Sequence, residues 1–227
     1  MSGRKTLLIG ALALLALIAL VPLRLVMGLA APDGVTARSV EGTVWSGRIA
    51  DLKAGPFPVG TVEAGLEVAP LLLGQARVRV AREGFAARAS LGSEVRIDGA
   101  SGTIALPDGL GELPVTALVM QDLSVAMADG ACREASGTLG LTLGALGPLL
   151  PDALRLSGTA RCEKGALVVP MRSAEDTERL TLQIKADGRW QAELLLSGLP
   201  QETGELLLQS GFEARPGGIG IGTGGKL

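Results

Sequence analysis

The 227 residues suffice for one large domain or two small ones, and they include no His, no Tyr, three Phe and two Trp. Those absences exclude Ser-His-Asp and Cys-His relays, HExxH zinc sites and imidazole acid/base chemistry, leaving any enzyme to carboxylates, Lys, Ser or Cys. Arg4, Lys5 and Arg24 precede Asp33, so eighteen of the 21 basic residues stand beside all 23 acidic ones from there on; an acidic body with few stacking rings does not suit nucleic acid.

The first predicted element is TLLIGALALLALIALVPL, Thr6 to Leu23, an uncharged run preceded by Arg4 and Lys5. As one helix it would extend roughly 27 Å, close to the ~30 Å hydrocarbon thickness of a bilayer. The cationic end favours the cytoplasm, and Arg24 beside Pro22 can snorkel to the far headgroups. An uncleaved anchor is therefore expected over residues 1–32; a signal peptide cut after Gly28-Leu29-Ala30 is the competing reading. Either way the remainder is exported.

From residue 40 onward, alternation at period two dominates. Val62, Ala64, Leu66 and Val68 face one way, with Thr61, Glu63 and Glu67 opposite. Ala69-Pro70-Leu71-Leu72-Leu73-Gly74 has a helical start and stop signal and is expected to form one or two turns. Val78 and Val80 alternate with Arg77 and Arg79, and Glu83-Gly84 turns the chain into Phe85, Ala87, Ala89 and Leu91. Leu180, Leu182 and Ile184 are followed by Asp187-Gly188, a type I′ signal, and by Trp190, Ala192, Leu194 and Leu196, which predicts a second hairpin. Loops are expected at Gly55-Pro56-Phe57-Pro58, Pro107 to Gly111 and Arg172 to Glu178; Leu143 to Leu154 is too broken by Gly and Pro for a long helix. The triplets Glu41-Gly42-Thr43, Ser101-Gly102-Thr103, Ser136-Gly137-Thr138 and Ser157-Gly158-Thr159 read as strand openings at which Gly permits a bulge or bend. The fold class is thus mainly β: one antiparallel β-rich domain over residues 33–215, a twisted or curved sheet or a sandwich, and a Gly-rich tail over 216–227 that is flexible or added as an edge strand to something else.

Chemistry-bearing constellations are few. Glu175, Asp176 and Glu178 read as a solvated loop, Ser46 lacks the Gly-x-Ser-x-Gly elbow, and Lys164, a conceivable base for Ser157, sits in a turn-like Glu163-Lys164-Gly165. The tail has no GK[ST], so no nucleotide site is expected. No enzyme, cofactor or metal is expected. Cys132 and Cys162 are the only two cysteines, an even count in an exported segment, which suits a disulfide; two unpaired thiols, or a metal pair, are the alternatives.

The segment Val40-Glu41-Gly42-Thr43-Val44-Trp45-Ser46-Gly47-Arg48-Ile49 stands apart, because Trp is scarce and the segment lies close behind the apolar run. A short N-terminal span, this Gly42-Thr43-x-Trp45-x-Gly47-Arg48 signature, an alternating strand and then Val68-Ala69-Pro70-Leu71-Leu72-Leu73-Gly74 together resemble the type II secretion system protein N family. The resemblance covers the chain from the anchor to about Val80. It implies an accessory inner-membrane component, N-terminus in the cytoplasm and body in the periplasm, that contacts other secretion components to help export folded proteins across the outer membrane. The strand pattern is also similar to AsmA-like β-rich proteins, which implies a lipid partner instead. An apolar sheet face filled by its own side chains favours a scaffold; an open one favours lipid.

Overall fold

The apolar N-terminal run is not one helix in the structure, a computed structural model that describes residues 2–30, 34–92, 94–145 and 153–226. α1 (Ser2–Ala19) gives way at Leu20, Val21 and Pro22 to α2 (Leu23–Ala30). Pro22 has no amide donor and disfavours helical backbone at the residue before it. The expected continuous span Thr6–Leu23 is therefore interrupted, and α1 keeps an uncharged stretch of only about 21 Å. No described helix is long and apolar enough to cross a membrane. α2 belongs to the folded body, since Leu23 is buried and Met27 packs on the core.

Then follow β1 (Val35–Thr36), β2 (Ser39–Gly42), β3 (Gly47–Ala54), β4 (Phe57–Leu66), α3 (Val68–Leu72), β5 (Ala76–Arg82), β6 (Phe85–Leu91), β7 (Glu94–Ala105), β8 (Val115–Ala128) and β9 (Ala131–Leu143). The second half comprises β10 (Leu154–Thr159), β11 (Arg161–Glu163), β12 (Ala166–Arg172), β13 (Glu178–Ile184), β14 (Arg189–Leu196), α4 (Gln201–Gln209), β15 (Glu213–Arg215) and β16 (Gly218–Lys226). Among the described residues all the strands join one antiparallel sheet. Its order is β1-β3-β4-β5-β6-β7-β8-β9-β10-β12-β13-β14-β16-β15, with β2 also on β3 and β11 also on β12. The domain is one curved sheet, not a two-sheet sandwich.

Curvature comes from bulges. Register shifts interrupt β7–β8 between Ile97 and Gly102, β8–β9 between Gln121 and Ser124, and β3–β4 between Ile49 and Lys53. Each extra residue bends its strand and adds twist. Two of the Ser-Gly-Thr triplets fall at these bends, inside β7 and β9 and not at strand openings as expected. Gly137 has φ +94°, and a Cβ there would lie 2.6 Å from Leu123 Cα, so a side chain is excluded by backbone and space together. The bent sheet gathers Val62, Ile104, Val115, Leu141, Val169 and Leu194 into one core. Burying each such side chain contributes about 1.5–3 kcal/mol.

The Glu83-Gly84 hairpin and the Leu180–Leu196 hairpin form as read, with Ile184 opposite Trp190. Lys185 N–H donates to the Arg189 carbonyl at 2.8 Å, leaving a three-residue loop in which Gly188, at φ +81°, is left-handed and Asp187 is not. The turn is therefore the three-residue kind with a glycine bulge, not type I′. The alternation expected to run to Val68 ends at Leu66, because α3 starts at Val68.

In the Gly-rich tail, Gly218–Lys226 is ordered as β16, an edge-side strand of the chain's own sheet. β16 pairs with β14 in register from Arg189↔Lys226 to Leu196↔Ile219. Small residues permit this close approach: a Cβ on Gly220 would lie 2.7 Å from the Leu194 carbonyl oxygen, and one on Gly224 2.8 Å from that of Trp190. α4, which the pattern reading did not foresee, buries Leu207 and brings Gly204 against Ile219. The broken stretch at 146–152 and the boundary at 32/33 lie outside the described residues.

Candidate functional site

The Gly42, Thr43, Trp45, Gly47, Arg48 motif forms the tight connection from β2 to β3. Thr43 N–H donates to the Ser46 carbonyl at 3.1 Å, closing the turn. Pro22 and Thr43 form an isolated β-bridge, and Val44 N–H donates to the Val21 carbonyl at 3.0 Å. The half-buried Trp45 reaches back with its indole Nε1–H to the Ile18 carbonyl at 2.9 Å. Val21 N–H reaches the same carbonyl at only 3.4 Å, so Trp45 gives the end of α1 its shorter hydrogen bond.

The two glycines supply room. A Cβ on Gly47 would collide with Leu23 Cδ2 and lie 2.7 Å from the Glu41 carbonyl oxygen; one on Gly42 would lie 2.7 Å from that of Ser46. Gly65, on β4, faces the Trp45 carbonyl just as closely, and Leu66 N–H donates to the Val44 carbonyl at 2.8 Å. α3 begins two residues later, with Val68, Leu72 and Leu73 57%, 82% and 81% exposed. The α1–α2 junction, the motif and an exposed apolar turn thus share one end of the molecule. Arg48 is exposed on β3.

The catalytic candidates are not brought together. Ser46 is exposed in the motif turn, Ser157 on β10, and Lys164 in the β11–β12 turn. Asp176 occupies the β12–β13 turn, where a hydrogen bond from Arg179 (2.8 Å) holds its carboxyl below the usual carboxylate range. Among the described residues no polar or charged side chain is buried, so none shows the desolvation that raises a catalytic carboxylate. No group of metal-ligating side chains occurs among them either. Cys132 on β9 and Cys162 on β11 form a disulfide, Cα atoms 5.5 Å apart, tying β11 to β9.

The concave face of the sheet is not filled by its own side chains. A cavity of about 610 Å³ runs along it, walled by Ile97, Met120, Val125, Leu139, Val169 and Leu182, among others. Val95 and Ile97 line this cavity yet remain 48% and 40% exposed. The Leu106–Pro114 loop contributes Leu110, which pairs its backbone with Leu113 at 3.0 Å. Residues of the β13–β14 turn and of the end of β16, with Gly34, Val35 and Gly55, also line the cavity. Period two signalled an apolar face; the bulges that hollow it were the unread part, although the Ser-Gly-Thr triplets marked two of them.

No curated protein and no solved structure matches the chain. The family described as type II secretion system (T2SS), protein N matches residues 33–222, which takes in the motif turn, β1 to β15 and the first five residues of β16, and the chain belongs to that family.

Proposed function

We propose that the protein is an accessory component of the type II secretion system that sits at the inner membrane with its sheet in the periplasm and acts by docking other components, without turnover. The observation that carries the docking role is the outer side of β16: β15 pairs only with Gly218–Gly220, so the edge from Ile221 to Lys226 has no strand partner among the described residues. An unpaired edge accepts a partner strand through main-chain hydrogen bonds, and glycines leave that backbone accessible.

Two features support membrane attachment. α1 presents Leu7, Ile9, Leu12 and Leu17 at 65–76% exposure, surface that water disfavours. The exposed Val68–Leu73 turn lies at the end where Trp45 holds α1, so both meet the same bilayer. Cleavage after Ala30 would remove Leu23 and Met27 from the core, which favours the uncleaved chain. The disulfide suits an oxidising periplasm.

Photo-crosslinking from Gly222 in intact cells tests the docking edge, since a Cβ there meets no atom closer than 3.5 Å. Adducts with an identified secretion component, together with loss of exported enzymes when residues 218–226 are deleted, are the expected result. Unchanged secretion after deletion of the whole chain overturns the reading.

A further inference from the structure

The open edge of β16 ends in a row of cations that the chain does not balance, and we infer that the strand it accepts is an acidic one, with an Asp or Glu standing opposite Lys226. This rests on the reading of β16 as a docking edge and adds the chemistry of the partner.

Strand register builds the row. β14 and β16 set Arg189 directly opposite Lys226, and residues so paired share one face with Cβ atoms about 4.5–5.5 Å apart. One residue beyond the Ile184–Trp190 pair, Lys185 donates its N–H to the Arg189 carbonyl at 2.8 Å, which sets it on the other flank of Arg189. Ile184 and Trp190 belong to the core, so by alternation Lys185, Arg189 and Lys226 look outward from the convex face, and all three are exposed. Like charges directly opposite one another destabilise a sheet.

The neighbouring carboxylates leave that repulsion standing. Asp187, in the β13–β14 turn, accepts from the Arg189 backbone N–H at 3.0 Å and from its Nε at 2.7 Å. Further along the same face Glu193 pairs with Arg215, and on β11 Glu163 pairs with Arg161 at 3.3 Å. Lys185 and Lys226 have no ion-pair partner among the described residues. Three cations against the one carboxylate of Asp187 leave two positive charges in excess, at the end of the unpaired backbone of Ile221–Lys226.

An added strand places one of its own side chains opposite Lys226, in the next place of the row. A carboxylate there relieves the repulsion and a cation extends it, so the edge discriminates between strands by sign. Nothing else on the outward face of the open edge selects, because the other outward positions are Gly222 and Gly224. On the core side, Thr223 Oγ1 is already occupied, accepting from Glu112 N–H at 3.3 Å.

The test uses the full-length chain in intact cells with p-benzoylphenylalanine at position 222, its adducts digested and sequenced by mass spectrometry. The captured segment should carry Asp or Glu about four residues from the crosslinked one, because positions 222 and 226 lie on one face of β16 at that spacing. Lys185→Glu with Lys226→Glu should lower adduct yield at least about fivefold, Lys185→Gln with Lys226→Gln by less, and Lys53→Glu, an exposed change on β3, by under about twofold. Exchanging the partner's acidic residue for Lys should lower the yield with the parent chain and restore it with the doubly reversed variant. A yield that ignores the charge reversal, a loss that the partner's Lys does not restore, or a captured segment with no carboxylate at that place overturns the acidic partner and leaves the docking edge standing. Lipid adducts in place of protein ones, or no adducts at all, overturn both.

Discussion

Trp45 and Ile18 are 27 residues apart, yet the indole Nε1–H of one donates to the backbone carbonyl of the other at 2.9 Å. With Val44 bonded to Val21 and Gly47 packed on Leu23, this makes the end of α1 part of the folded domain. Trp45→Phe keeps the ring and deletes the donor, and should cost about 1 kcal/mol. Gly47→Ala forces Leu23 and the Glu41 backbone apart and should cost more, about 1–3 kcal/mol. Chemical denaturation of the detergent-solubilised chain measures both. Equal and negligible losses would mean that α1 and α2 are only tethered to the sheet.

How much of this was legible follows from what each pattern physically reports. The β13–β14 hairpin was plain because Leu180, Leu182, Trp190 and Leu194 repeat at the spacing of a sheet with one buried face. β16 was not, because glycine is disfavoured in strands on its own account. Its placement depends on β14, whose Leu194 and Trp190 carbonyls leave no room for a Cβ at Gly220 or Gly224. Likewise Gly42, Trp45 and Gly47 stood out as a motif, but what they hold, the α1–α2 junction, is a contact between distant segments. The hollow face was hidden for a third reason: alternation reports which residues share a side and nothing about whether that side closes.

Cys132 and Cys162 close a loop with a sequence separation of 30. In the chain-entropy view such a crosslink contributes about 3.5 kcal/mol by restricting the unfolded chain. Cys132→Ala with Cys162→Ala should lower the urea midpoint accordingly, and reductant should do the same to the parent chain but nothing further to the variant. Thiol titration of the unreduced, denatured protein should find no free thiol; two would overturn the pairing.

Stability should vary little between pH 5 and 8, because the chain contains no His, the side chain that ordinarily titrates there. The acid limb should begin lower. Arg179 holds the Asp176 carboxyl below its ordinary 3.8, and the Arg189 backbone N–H does the same for Asp187. Both groups bind protons more weakly folded than unfolded, so their contribution is complete above the unfolded value and is lost as pH falls through the folded one. Asp176→Asn should therefore lower neutral stability slightly, as expected for an exposed pair, and its difference from the parent should vanish as pH falls below about 4, which flattens the limb. Urea midpoints from pH 2 to 8 check this, and a variant that loses stability equally at pH 7 and pH 3 would contradict it.

Gly137 and Gly130 separate two contributions to the bend in the sheet. Both have positive φ, +94° and +71°, so Ala at either position carries the left-handed backbone cost of roughly 1–2 kcal/mol. Around Gly130 no atom lies within 4 Å of a new Cβ, whereas at Gly137 that atom would lie 2.6 Å from Leu123 Cα and nearly on the Asp122 backbone. Gly137→Ala must therefore also push β8 and β9 apart at the Gln121–Ser124 bulge, adding about 1–3 kcal/mol. The expected order is Gly137→Ala well below Gly130→Ala in denaturation midpoint. Equal midpoints for the two variants would show that the bulge does not depend on glycine's lack of a side chain, and the curvature would then have to arise from strand twist alone.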